Sequence, residues 1–86
     1  MNFNDKAEKT MKGKTFIEGE IKRRLSPEMS SKVWRDATLR LARMYEAHQG
    51  LSKGVAYHTD KFIFPAAAIY LSLKEYAPDE AYDILK

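Results

Sequence analysis

The chain has no cysteine among its 86 residues. A disulfide framework, a thiolate zinc site and a cysteine nucleophile are therefore excluded. Only four glycines and three prolines are present, and no glycine-rich phosphate loop or dinucleotide fingerprint occurs. The longest apolar stretch, residues 62–73, is shorter than the roughly twenty residues that a membrane-spanning helix needs. The polar N-terminus is not followed by the apolar segment of a secretory signal, so we expect a soluble cytoplasmic protein that does not enter a membrane.

The charged residues nearly balance, with 15 Lys and Arg against 12 Asp and Glu. A net charge of +3 lies in the ordinary range for solubility. The one dense basic cluster is Lys22, Arg23 and Arg24, at the end of a predicted helix, where basic side chains complement the helix dipole. Nucleic acid is therefore not the expected partner, although a basic module that uses this cluster with Arg35 and Arg43 is an alternative.

Apolar residues recur at helical spacing through three segments of the chain. These segments are residues 14–25, 27–48 and about 62–76, and a short fourth helix begins at Pro78. Ser26 and Pro27 suit the N-cap and the first position of the second helix. The sequence therefore predicts an all-α fold, a small bundle of three main helices plus a short or truncated fourth.

The first 13 residues alternate lysines with small polar residues, and we expect a flexible or frayed N-terminal lead there. Residues 14–86 are expected to form one helical domain. A loop is predicted at residues 51–60, between the second and third helices. Along the second helix, Asp36 is four residues from both Lys32 and Arg40 and can form a weak ion pair with each of them.

The third predicted helix is apolar on nearly every side. A helix of that kind is buried all round, and the remaining helices of so short a chain barely cover it. We therefore expect residues 62–73 to contact either a missing C-terminal part of the same protein or a second copy of the chain.

Two histidines are the candidates for metal or acid–base chemistry. His48 and His58 match no zinc-ligand spacing, so we expect no metal and no cofactor. His58 comes shortly before Asp60, and a carboxylate can orient an imidazole as a general base. In the alternative interpretation, Thr59 or Asp60 caps the third helix and His58 forms only local hydrogen bonds.

Residues 58–75 read HTDKFIFPAAAIYLSLKE, and residues 77–84 read APDEAYDI. Both stretches resemble the L-2-amino-thiazoline-4-carboxylic acid hydrolase family. The earlier helix, which carries Trp34, Leu41 and Tyr45, is similar in placement to the preceding helix of that family. The resemblance extends loosely over residues 14–86 and is specific over the two quoted stretches.

The resemblance implies ring-opening hydrolysis of a thiazoline amino acid to N-carbamoyl-cysteine by the full-length family. His58 and Asp60 match the family stretch and are the catalytic candidates, and Tyr57 is the substrate-binding candidate. Family members continue into a second part with cysteines that this chain lacks. The resemblance therefore implies that residues 14–86 are the N-terminal part of a longer family chain, and we expect no turnover by the chain alone. The alternative function is a complete small helical interaction or dimerisation module without catalysis, which pairs through residues 62–73.

Overall fold

The computed structural model describes residues 2–49 and 58–85, and within them the chain forms five α-helices and no strand. This confirms the predicted all-α class. The helices are α1 (Phe3–Lys12), α2 (Thr15–Arg24), α3 (Pro27–Ala47), α4 (Phe64–Tyr76) and α5 (Pro78–Leu85). A π-helical turn, Thr59–Ile63, leads directly into α4. Most of the loop predicted at residues 51–60 lies outside the described residues, but its last three residues are helical.

Helix α3 is the central element, and both α1 and α4 pack along it. Its start agrees with the prediction, because the Ser26 side chain accepts a hydrogen bond from the Met29 backbone N–H at 3.1 Å and Pro27 is the first helical residue. Its buried residues follow three- and four-residue spacing, so one side of the helix faces the core. These residues are Ser30, Val33, Ala37, Leu41, Ala42 and Tyr45.

Helix α1 corrects the expectation of a flexible or frayed lead at residues 1–13. The Asn2 side chain accepts a hydrogen bond from the Asp5 backbone N–H at 2.8 Å and caps the helix. Ala7 and Met11, one helical turn apart, are 0% and 1% exposed against the core. Most of the stability of a short helix comes from tertiary packing rather than from its own propensity. The polar composition of this segment therefore did not indicate a helix, because contacts with α3 stabilise it.

Helix α2 agrees with the apolar residues that recur at helical spacing in residues 14–25. Ile21 is buried, and Ile17 and Leu25 pack partly buried against the core. The buried Ser30 hydroxyl of α3 donates to the Ile21 carbonyl at 3.2 Å. The Ile21 carbonyl also accepts from the Leu25 backbone N–H at 2.9 Å, so Ser30 is a second donor to it and connects α3 to the last turn of α2.

Helix α4 differs from the expectation of burial on every side. Its inner face is buried through Pro65, Ala68, Ile69, Ser72 and Leu73. Its outer face, with the end of the π turn, leaves apolar side chains in solvent. These are Phe62 and Ile63, each 50% exposed, Tyr70 at 45%, Leu71 at 40%, and the exposed Ala66. The elements in extensive contact with α4 are α3, α5 and the π turn, and they cover one side only. None of the described helices is both long and apolar enough to cross a membrane.

Candidate functional site

Two of the three predicted site residues, His58 and Asp60, lie at the start of the π turn. Tyr57 lies outside the described residues. His58 is exposed, and its ring centroid lies 5.3 Å from that of Phe62. The Asp60 carboxylate instead contacts α1, where its Oδ2 lies 2.6 Å from the Lys6 Nζ. Within the described part of the chain no hydrogen bond joins His58 to Asp60, so the structure does not form an imidazole oriented by that carboxylate.

Tyr45 lies at the centre of the contacts around Asp60. Its hydroxyl lies 2.5 Å from the Asp60 carbonyl oxygen and 3.1 Å from the Thr10 Oγ1. Because a carbonyl can only accept, the single phenol proton goes to Asp60 and the Thr10 hydroxyl donates to the phenol oxygen. The Lys6 Nζ lies 4.3 Å from the centroid of the Tyr45 ring, within the range of a cation–π contact.

Burial is the main cause that raises the pKa of the Tyr45 phenol above its ordinary value. The hydrogen bond with Thr10 acts in the opposite direction, and the negative charge of Asp60 adds to the rise in pKa. The phenol is therefore neutral near pH 7. A neutral phenol, an ammonium and a carboxylate that is bound to that ammonium hold α1, α3 and the π turn together.

A second lysine fixes the other end of the π turn. The Lys14 Nζ, just before α2, donates to the Lys61 carbonyl at 2.6 Å and lies 4.8 Å from the centroid of the Phe62 ring. A π-helical turn is a rare local conformation that is frequent at functional sites. Here its neighbours on α1, on α3 and before α2 bind its polar groups, so its conformation follows from long-range contacts.

His48, where the predicted helix ends, is the C-cap residue of α3, and its backbone N–H donates to the Met44 carbonyl. Its ring centroid lies 5.1 Å from that of Phe64. Over residues 2–49 and 58–85, no group of three or more His, Cys, Asp or Glu side chains could hold a metal ion.

A second polar cluster joins α3 to α4, and the sequence predicted only the part of it that lies on α3. The Arg40 Nε donates to Asp36 at 2.6 Å, which is one of the two predicted pairs, and Arg40 also contacts Glu75. Among the described residues Lys32 forms no ion pair with Asp36, and its Nζ lies instead 5.2 Å from the centroid of the Tyr76 ring. The Ser72 hydroxyl, which is 0% exposed, donates to the same Asp36 oxygen at 2.7 Å. Ser72 lies 36 residues away in the sequence, and no local pattern signals that contact.

Asp36 is the ionised centre of this cluster. Burial by itself would raise the pKa of its carboxyl. The hydrogen bonds from Arg40 and Ser72, with the positive charges of Arg40 and Arg43, outweigh burial and hold the pKa below its ordinary value. Asp36 is therefore ionised near neutral pH, and Arg40 and Ser72 both donate to its Oδ2.

Both polar clusters connect helices, and their groups are bound to one another. The outer face of α4 differs from them, since its apolar side chains are in solvent. We compared the chain with protein-family models, curated proteins and solved structures, and none of the three comparisons found a match. The structure itself therefore carries the functional argument.

Proposed function

We propose that the chain is a helical interaction module that pairs with a second copy of itself through the outer face of α4. The single observation that carries this proposal is the exposure of that face. Phe62, Ile63, Ala66, Tyr70 and Leu71 lie within ten consecutive residues and are all exposed. Contiguous exposed apolar surface on a small protein is typical of an interaction site.

The absence of charge from the face supports a second copy as the partner. No Asp, Glu, Lys or Arg occurs in residues 62–73. Two cations border the face, since the Lys14 Nζ lies 4.8 Å from the Phe62 ring centroid and the Lys74 Nζ lies 5.6 Å from that of Tyr70. Both belong to long side chains that can keep their ammonium groups in solvent. Two identical faces can therefore meet without burying an unpaired charge, which would cost several kcal/mol.

The order of residues along the face suits an antiparallel pair. With the twofold axis between Ala66 and Ala67, Ile63 of each copy lies opposite Tyr70 of the other. The same symmetry sets Phe62 opposite Leu71, so large side chains flank the two alanines. Small residues at the crossing point let the helix backbones approach closely, and the contact is the same from both copies, as a twofold dimer requires.

The size of the face sets the strength of the pairing. Its side chains, about half exposed, offer on the order of 400 Å² per copy, or about 800 Å² for a pair. That area lies below the usual range of stable specific interfaces and corresponds to a weak, concentration-dependent dimer. The face alone thus supports reversible self-association.

Sedimentation equilibrium of the purified chain tests this proposal. The weight-average mass should rise from the 9.9 kDa of one chain toward twice that value between roughly 10 µM and 1 mM. Ile63→Glu puts a charge on the face and should hold the mass at one chain. Leu39→Glu is the matched control, because Leu39 is 46% exposed but lies on α3, outside the face. A wild-type mass that stays at one chain at 1 mM, or equal dimerisation by both variants, would overturn the proposal.

The resemblance to the thiazoline hydrolase family stays a prediction, since the comparisons neither support nor refute it. Of its site candidates, Asp60 is bound to Lys6 and His58 contacts a phenyl ring. These contacts support an interaction module better than a catalytic unit.

A further inference from the structure

A groove runs along α3 on the side that faces α1 and α2. It consists of two adjoining cavities of about 390 and 260 Å³. Trp34 and Arg35 line both cavities, so the two meet at this pair of residues. The larger volume falls within the range of small-molecule sites, about 300–1,000 Å³. We call the two cavities together the Trp34 groove.

The floor of the Trp34 groove is apolar, and three helices, α1, α2 and α3, contribute to it. Met11 of α1 and Ile21 of α2 are each 1% exposed. The partly buried Trp34 ring and the half-exposed Leu39 complete the floor from α3. An apolar floor with a few polar groups at the rim is the usual composition of a ligand site.

Arg35 is the cation at the rim that no carboxylate neutralises. Its neighbours three and four residues away on α3 are Ser31, Lys32, Thr38 and Leu39, none of them acidic. No ion pair among residues 2–49 and 58–85 involves Arg35.

The other charges of the rim offset one another. In the smaller cavity, Glu18 pairs with Lys22 at 3.5 Å. In the larger cavity, Glu8 and Lys12 carry opposite charges one helical turn apart. The rim therefore has a net charge of one positive unit, which belongs to Arg35.

We propose that the Trp34 groove binds a small aromatic carboxylate. The ring packs against the Trp34 indole over Met11 and Leu39, and the carboxylate accepts hydrogen bonds from the Arg35 guanidinium. Planar guanidinium and carboxylate groups match in geometry and form paired, charge-assisted hydrogen bonds. One negative charge on the ligand balances the single positive charge of the rim. This site is on the side of α3 that packs with α1 and α2, and it does not depend on self-association through α4.

The chain contains one tryptophan, so the indole N–H of Trp34 gives a single NMR signal that reports from inside the groove. We would titrate 15N-labelled chain with 2-naphthoate and, separately, with the neutral 2-naphthamide. The naphthoate should shift the Trp34 signal in a saturable way, and the amide should bind at least fivefold more weakly. A Trp34 signal that does not move with naphthoate up to roughly 10 mM would overturn the proposal.

Arg35→Gln should weaken naphthoate binding about five- to tenfold and leave amide binding unchanged. Lys9→Gln is the matched control, because it removes one positive charge from exposed α1 outside the groove and should leave both affinities unchanged. If Arg35→Gln and Lys9→Gln lost the same amount of affinity for naphthoate, the net charge of the chain rather than Arg35 would explain the loss. If the wild type bound naphthoate and naphthamide equally, Arg35 would not recognise the carboxylate. A thermal melt of each variant shows that the fold is retained.

Ile63→Glu should bind naphthoate like the wild type, which separates this proposal from dimerisation.

Discussion

The Lys6 ammonium lies 2.6 Å from the Asp60 carboxylate, across 54 residues of sequence. This ion pair joins α1 to the π turn that leads into α4. The Lys6 side chain is 37% exposed and that of Asp60 is 17% exposed, so solvent only partly screens the pair. The same lysine contacts the Tyr45 ring. The side chains of Lys6, Tyr45 and Asp60 thus connect α1 to the π turn.

The first prediction concerns this ion pair. Lys6→Met and Asp60→Asn should each lower the free energy of unfolding by about 1 kcal/mol, since partly exposed pairs contribute about 0.2–1 kcal/mol and Lys6 also loses its cation–π contact. Urea unfolding of both single variants and the double variant gives the coupling energy, which we expect to be about 0.5 kcal/mol or more. Asp83→Asn, at an exposed position of α5, is the control and should change little. Strict additivity of the two substitutions would show that the pair makes no contribution.

The second prediction concerns α1. Met11→Ala should destabilise the chain by about 2–4 kcal/mol, because Met11 is 1% exposed and its truncation leaves a cavity beneath α3. Lys9→Ala, on the exposed side of the same helix, should stay within about 0.5 kcal/mol of the wild type. Chemical denaturation followed by circular dichroism measures both. If Met11→Ala were as stable as Lys9→Ala, residues 3–12 would not be part of the cooperative fold.

The third prediction uses the raised pKa of Tyr45. A raised pKa means that folding favours the neutral phenol, so this contribution to stability is complete below the ordinary tyrosine pKa near 10 and is lost as pH rises through the higher pKa of the folded state. Tyr45→Phe removes the hydroxyl and should cost about 1–2 kcal/mol at pH 7.

The measurement is thermal unfolding at intervals from pH 8 to 11. The stability gap between wild type and Tyr45→Phe should narrow above pH 10. Tyr82→Phe serves as the control, because Tyr82 is 74% exposed. A gap of constant size across this range would contradict the assignment of the raised pKa to Tyr45.

The fourth prediction uses the lowered pKa of Asp36. A lowered pKa means that folding favours the carboxylate, so its contribution is present above the ordinary aspartate pKa, near 4, and is lost as pH falls through the lower pKa of the folded state. Asp36→Asn should therefore cost about 1–3 kcal/mol at pH 7, where the hydrogen bonds from Arg40 and Ser72 are charge-assisted.

Urea unfolding at pH 7 and again near pH 2.5 tests the sign. The destabilisation by Asp36→Asn should shrink at the lower pH, while Ser72→Ala at pH 7 should cost about 1 kcal/mol or more. If Asp36→Asn became more destabilising as the pH falls, burial rather than the hydrogen bonds from Arg40 and Ser72 would determine the direction of the Asp36 pKa shift.

The fifth prediction concerns catalysis. The purified chain should not convert 2-amino-thiazoline-4-carboxylate to N-carbamoyl-cysteine above the uncatalysed rate, because Lys6 neutralises Asp60 and no described hydrogen bond orients His58 through that carboxylate. Mass spectrometry of the reaction mixture detects the product directly. Turnover that disappears in His58→Ala would contradict this prediction and restore the hydrolase interpretation.

Local sequence pattern was sufficient for α2, α3 and the start of α5. The Ser26 cap, Pro27 at the first helical position and the apolar stripe along α3 act within a few residues of one another. Pro78 likewise begins α5. Capping, proline geometry and helical periodicity depend on neighbours in the chain, which is why the boundaries of these helices could be predicted.

The candidate site was predictable only in part. The pair Asp36–Arg40 follows from four-residue spacing, but Ser72 joins it from a different helix. His58 and Asp60 are close in sequence, and their side chains nevertheless have different partners, Phe62 and Lys6. The direction of a side chain in this turn depends on α1 and α3, which are far away in the sequence.

Helix α1 and the exposure of α4 required the packed structure. The apolar pattern of a helix shows how much surface it can bury, but the number of neighbours available shows how much it does bury. Ala7 and Met11 suffice for α1 because α3 covers them. The described helices contact α4 on one side only, so Phe62, Ile63, Tyr70 and Leu71 stay about half exposed. Capping and periodicity are short-range effects and can be read from consecutive residues, whereas burial is a long-range effect that exists only once the helices have packed.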